Sequence, residues 1–175
     1  MVSLTTGART EELRALRWDH VDLDAGTVAL WRSVRGHGEV KTEKSRRTLA
    51  LPPSAVHALR EHRKRQGEDK LAAGPLWHDH GLVFCSTVGT PLDHHNVLRG
   101  LKGICRRAGM GEDWTPRELR HSFVSIMSAA GTPVEEIARL AGHSTSRTTE
   151  AVYRKELRPV LTRGAEVMDA VLGQS

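Results

Sequence analysis

Along the first third of the chain the spacing of apolar residues changes from helical to alternating. Leu13 and Leu16 are three apart within residues 10–17, just after Thr5-Thr6-Gly7, which predicts a short helix with both leucines inward and Arg9 at its mouth. Beyond the Asp24-Ala25-Gly26 turn, residues 27–31 are β-rich, Gly36-His37-Gly38 supplies a second turn, and residues 47–51 return as a strand with Lys41 on the return path. These segments predict a small antiparallel sheet. Pro52-Pro53 then opens a helix expected to reach about Arg65, and the polar, glycine-bearing stretch 67–81 reads as a loop.

From Asp93 onward the pattern is helical. Val97, Leu98, Leu101 and Ile104 keep one face of a basic helix. Thr115-Pro116-Arg117-Glu118 joins an N-cap threonine, proline at the first helical position and a glutamate three residues after the cap, with Leu119, Phe123 and Ile126 marking the core face of the helix it opens. Thr132-Pro133-Val134-Glu135 repeats the device, and that helix should stop at Gly142, leaving His143 just beyond its end. A further helix is expected from near Ser146 and carries Tyr153. The tail 159–172 sets Val160, Leu161, Val167, Met168, Val171 and Leu172 on a broad apolar face that must dock on something. The expected fold is mainly α with a small antiparallel β-sheet.

Composition narrows this picture. A chain of 175 residues with 38% hydrophobic content can bury one core, so residues 1–175 are expected to form a single domain. Lys and Arg outnumber Asp and Glu by 26 to 21, a net charge of +5 that tilts the partner toward a polyanion such as nucleic acid. Cys85 and Cys105 lack C-x-x-C spacing and suit reduced thiols better than a disulfide or zinc framework. Neither an apolar leader nor an eighteen-residue apolar run is present, so no signal peptide or membrane span is expected and the location should be cytoplasmic.

Chemistry concentrates first in the helix opened by Thr115. Arg117 and Arg120 are neighbours on one face, and two guanidinium groups side by side can clamp a phosphodiester; the plainer alternative is a solvated cationic face. His78-x-His80 and His94-His95, with Cys85 between them, raise the possibility of a metal site, but their spacing matches no zinc pattern, and neither metal nor cofactor is expected.

Four segments, in order, resemble the tyrosine recombinase (phage-type integrase) family. TGARTEELRALRW at 6–18 resembles its first arginine motif, KTEKSRRTLALP at 41–52 its lysine hairpin, TPRELRHSF at 115–123 its second arginine box, and LAGHSTSRTTEAVY at 140–153 its closing motif. Each is weak alone, but four in the right order are highly specific, and they span nearly the whole chain from Thr6 to about Arg158. The resemblance implies the tyrosine recombinase catalytic-domain fold and a catalytic set of Arg9, Lys41, Arg117, Arg120, His143 and Tyr153, with Glu12 orienting Arg9. It also implies double-stranded DNA as partner, self-association on DNA through the C-terminal segment, and a 3′-phosphotyrosine intermediate. These roles are chemically coherent. Metal-free phosphodiester cleavage needs fixed positive charge, a nucleophile and an acid for the leaving oxygen, and Tyr153 is the one tyrosine of the chain.

Two departures qualify the resemblance. The family usually has histidine where this chain has Arg117, and an arginine cannot accept a proton, so the base role of that position does not carry over. The family's catalytic domain also begins one or two helices upstream, after a separate core-binding domain, whereas Met1-Val2-Ser3-Leu4 looks like a helix already under way. A chain lacking that half is expected to bind DNA weakly or to depend on a partner. Competing readings are a helix-turn-helix regulator built on residues 132–155, an inactive integrase remnant, and a type IB topoisomerase with the same tyrosine chemistry.

Overall fold

The computed structural model describes residues 1–31, 33–34 and 46–143. Its elements follow the order α1 (Val2–Thr6), α2 (Thr10–Arg14), β1 (Val21–Asp22), β2 (Thr27–Leu30), β3 (Arg47–Ala50), α3 (Pro53–Ala73), α4 (His94–Arg107), α5 (Pro116–Ala129) and α6 (Val134–Ala141). Single 3-10 turns occupy Trp18–His20 and Gly74–Leu76. The strands form an antiparallel meander in which Val28 pairs with both Val21 and Leu49, and Leu30 pairs with Arg47. Val28, Leu30 and Leu49 lie on the buried face of the pleat.

Two apolar clusters hold these elements. The larger packs Leu16, Val28, Leu30, Leu49, Leu59 and Val83 between the sheet, α2 and α3; the smaller gathers Phe123, Val124, Ile137 and Ala141 between α5 and α6. Leu140 touches both, so the end of α6 is seated against the sheet half of the molecule. Helix α1 closes on α5 at one very tight point. Gly7 ends α1 in the left-handed region (φ 62°), and a Cβ built there would lie 2.5 Å from Cδ1 of Phe123.

The helical half and the sheet follow the sequence pattern, with four corrections. Helix α3 does not stop near Arg65; it runs through Gly67 to Ala73, so most of the expected 67–81 loop is helix and 3-10 turn. Gln66 supplies the reason: its side chain accepts from Trp18 Nε1 at 2.6 Å and donates to the carbonyls of Leu82 and Val83 at 3.1 Å each, anchoring the helix past the point where its sequence is a good helix former. Ile126 and Ile104 are exposed at 58% and 56%, and Val124 and Cys105 take the buried positions instead, because α5 and α4 are covered along narrower stripes than their apolar residues span. The Thr132 cap does not form: α6 starts at Val134 with Pro133 as its N-cap residue and no side-chain cap bond. β1 is an additional strand that its two-residue length kept out of the sequence pattern.

The expected helix carrying Tyr153, the apolar tail and the second half of the helix-turn-helix reading all lie outside the described residues. Cys85 and Cys105 are free thiols, and no helix among the described residues is long and apolar enough to cross a membrane.

Two glycines give opposite predictions. Gly7→Ala should destabilise the fold by roughly 2–4 kcal/mol, from the positive φ and the Phe123 overlap together. Gly67→Ala, in an open helical position with nothing within 4 Å of the new methyl, should stabilise it by about 0.5–1 kcal/mol. Urea denaturation of both variants checks the signs.

Candidate active site

The site begins where α1 ends and α2 begins. Arg9 is the extended N-cap residue of α2, and Glu12, three residues on, turns its carboxylate back to accept the Arg9 backbone N–H at 2.8 Å and Arg9 Nη1 at 2.9 Å. Glu12 is 2% exposed, so its charge needs full compensation. The rest comes from β3: Arg47 Nη1 and Nη2 donate to the two oxygens of Glu12 at 3.1 and 2.9 Å, while Arg47 Nε donates to the Leu140 carbonyl at 2.8 Å. Arg9 Nη2 reaches the Gly142 carbonyl at 2.6 Å. Two arginines thus share one buried carboxylate and cap the C-terminal end of α6, where the helix dipole favours positive charge.

Arg120 enters from α5. Its helix opens with Glu118 accepting the Thr115 backbone N–H, which fixes the first turn and puts Arg120 one turn in, 8% exposed. Arg120 Nη1 donates to the carbonyl of Gly7, and Nη2 is buried with no partner among the described residues. His143 follows Gly142, which is left-handed (φ 67°), and the His143 backbone N–H closes the helix end on the Ala138 carbonyl at 2.8 Å. Arg9, Arg117, Arg120, His143, His121 and His94 all line one open cleft of about 920 Å³.

The structure therefore brings together Arg9, Arg117, Arg120 and His143, with Glu12 beneath them. Arg117 is exposed while Arg120 is buried, so the two helix neighbours meet the cleft at different depths. Lys41 and Tyr153 lie outside the described residues. Sequence reasoning missed Arg47, which read simply as the first residue of a strand; nothing local marks it as the partner of a carboxylate 35 residues away. It also left His121 and His94 out of the site, though both face the cleft. The histidine pairs lie side by side, with ring centroids 6.5 Å apart for His78–His80 and 5.9 Å for His94–His95. Among the described residues no group of three or more His, Cys, Asp or Glu side chains is placed to hold a metal ion.

Burial and the crowding of cations set the protonation states. Burial, then the charges of Arg120, Arg9 and Arg47, push His143 down to about 4, leaving the imidazole neutral at pH 7. Burial, then Arg9, pushes Arg120 down to about 9, which still leaves it a cation. For Glu12, burial raises the carboxyl, but hydrogen bonding and charge from Arg47, then Arg9, outweigh it and hold the group below its ordinary 4.5. An electropositive cleft with one orphan guanidinium N–H is a receptor for an anion.

Residues 1–158 match the Phage integrase family, and the chain belongs to that family. An integrase of Streptomyces ambofaciens is 54% identical over 98% of this chain and 47% of its own length. A XerC-like tyrosine recombinase of Caldanaerobacter subterraneus is 28% identical, covering 97% of this chain and 48% of the relative. Among solved structures, the Tn1549 transposon integrase in complex with transposon right end DNA superposes with a TM-score of 0.74 at 17% identity, over 98% of this chain and 57% of that one. XerA recombinase gives 0.71 at 21% identity, over 95% and 55%. The fold is the tyrosine recombinase catalytic-domain fold, and the chain spans about half the length of the curated relatives it matches.

Glu12→Gln should cost about 3 kcal/mol, because it leaves the buried Arg47 guanidinium without its counter-charge, while the half-exposed Arg9 is compensated in part by solvent. The native carboxyl binds its proton less readily than the unfolded one, so its contribution is complete above pH 4.5 and fades as pH falls through the lower native value. The variant should lose that part of the acid dependence in urea titrations between pH 6 and 3. Nitrogen-15 NMR should find the His143 ring neutral at pH 6; a protonated ring there would contradict the cation cluster as its environment.

Proposed function

We propose that this chain, residues 1–175 acting as one domain, is the catalytic part of a site-specific recombinase that cleaves and rejoins double-stranded DNA through a 3′-phosphotyrosine. The observation that carries the reading is the convergence of Arg9, Arg117, Arg120 and His143 on one cleft, with Nη2 of Arg120 buried and without a partner among the described residues. Fixed N–H donors and cations converging there match the non-bridging oxygens of a phosphodiester as negative charge builds in the transition state. The remaining assignments are proposed from the resemblance of the motifs that carry Lys41 and Tyr153. Tyr153 loses its phenolic proton to water and its Oη attacks phosphorus, the P–O5′ bond breaks with the 5′ oxygen taking a proton from Lys41, and the phosphotyrosine ester keeps the linkage activated until a 5′ hydroxyl reverses the step. His143, neutral in the free protein, gains basicity once an anionic phosphate sits among the arginines, and donates a hydrogen bond to it. Position 117 supplies positive charge rather than a proton acceptor. The C-terminal segment after Pro159 joins protomers on DNA, and the other half of the relatives' length accounts for further grip on the duplex.

Tyr153→Phe should abolish covalent protein–DNA adduct on nicked duplexes drawn from the DNA flanking this protein's own gene, while leaving duplex affinity nearly unchanged. Adduct in the variant would sink the assignment of the nucleophile.

Lys41 is checked with a substrate whose bridging 5′ oxygen is sulfur, a leaving group that needs no proton. Lys41→Ala should slow cleavage of the oxygen substrate by roughly 10²–10⁴ and regain most of the rate on sulfur, whereas Lys44→Ala should show no such difference. Equal defects on both substrates would reduce Lys41 to a backbone contact.

A further inference from the structure

Arg47 belongs to neither the arginine pair of the cleft nor its lining. Its side chain is 8% exposed, and all three guanidinium nitrogens are engaged within the protein, two on Glu12 and one on the Leu140 carbonyl. Little of it is left for solvent or a phosphate. It opens β3, directly after the segment 41–46 that contains Lys41 and Lys44, and its side chain ends on the last turn of the helix that precedes His143.

The contact is close enough to constrain the backbone. A Cβ at Gly142 would lie 2.6 Å from Arg47 Nη1 and 2.9 Å from its Cζ, so the guanidinium packs closely against the residue preceding His143. The carbonyl of that same glycine receives Arg9 Nη2 at 2.6 Å, and Arg9 Nη1 shares Oε1 of Glu12 with Arg47. One planar fork therefore holds three things at fixed spacing: the carboxylate that orients Arg9, the carbonyl ladder at the end of α6, and the start of the strand that follows the lysine segment. A lysine would keep the charge but could not span these acceptors, because an ammonium is a point donor without a rigid plane.

We propose that Arg47 is a positioning residue that fixes Arg9 and His143 against each other at the cleft, acting through Glu12 and the α6 terminus rather than on DNA. The proposal rests on the recombinase reading for its consequence in catalysis, but its structural content does not. Displacing a catalytic group by about an ångström, or removing the partner that orients it, lowers rate by roughly 10- to 100-fold while leaving binding largely intact.

The test compares wild type with Arg47→Lys in the full chain, by three readouts below the melting temperature of both. Single-turnover cleavage of the flanking-DNA duplexes at saturating protein should fall roughly 10- to 100-fold, and duplex affinity by fluorescence anisotropy should stay within about threefold. Nitrogen-15 NMR should show His143 titrating closer to its ordinary 6.5 in the variant, as the ring leaves the position where burial, Arg120, Arg9, Arg47 and His121 hold it down to about 4. A folded variant with the wild-type His143 titration and the wild-type cleavage rate overturns the proposal, even if its Tm is lower. A large loss of duplex affinity would also overturn it, since that would make Arg47 a DNA contact. Wild type that never cleaves would count against the recombinase reading alone, and the His143 titration would still decide the role of Arg47. Should Arg47→Lys not fold, the same three readouts are taken on Arg47→Gln, which leaves Glu12 and its bonds to Arg9 in place, in the stabilising Gly67→Ala background.

Discussion

One buried carboxylate organises this molecule. Glu12 is nearly inaccessible to water, and a charge so placed is tolerated only when hydrogen-bonded and neutralised on the spot. Satisfying it takes Arg9 from its own helix and Arg47 from the sheet, and both arginines then use their spare nitrogens on carbonyls of the α6 end, Gly142 and Leu140. Segments from the beginning, middle and end of the described chain meet because one ion cluster cannot be completed by any two of them.

The same cluster explains the character of the cleft. Three guanidinium groups, of Arg9, Arg47 and Arg120, gather around a single carboxylate, so positive charge remains after pairing. Together with burial it keeps the imidazole of His143 neutral, and Arg120 has an N–H without an acceptor among the described residues. Such a site carries positive charge that its single carboxylate does not offset, and an anion in the cleft would offset it. The two glycines at the cluster serve close approach. Gly7 lets α1 lie against the ring of Phe123 while its carbonyl receives Arg120, and Gly142 leaves room for the Arg47 guanidinium beside the residue before His143. Side chains at either position would push apart the groups that the carboxylate draws together.

Much of this was legible in the sequence. Helix starts at Pro53 and Pro116, the stop at Gly142 and the pairing of residues 27–30 with 47–50 follow from period, proline and glycine, because those signals act within a few residues. Arg9, Glu12, Arg117, Arg120 and His143 were singled out from motif spacing, and the structure places them around or beneath one cleft. Features set by distant partners were not legible. The extra two turns of α3 depend on Gln66 meeting Trp18 and the Leu82–Val83 backbone, and the exposure of Ile104 and Ile126 depends on how much of each helix its neighbours cover.

Arg47 marks the boundary between the two kinds of information. By itself the sequence determined the local elements, the excess of positive charge and the family motifs that bring Arg9, Arg120 and His143 to notice, since each is written in contiguous residues. Only the tertiary structure decided that Glu12 is buried rather than a surface helix partner, that Arg47 and not a nearer cation completes its pairing, and that Nη2 of Arg120 is buried without an acceptor among the described residues. Burial and hydrogen-bond satisfaction are properties of groups that meet in space, and the energy of a charge depends on its surroundings far more than on its neighbours along the chain.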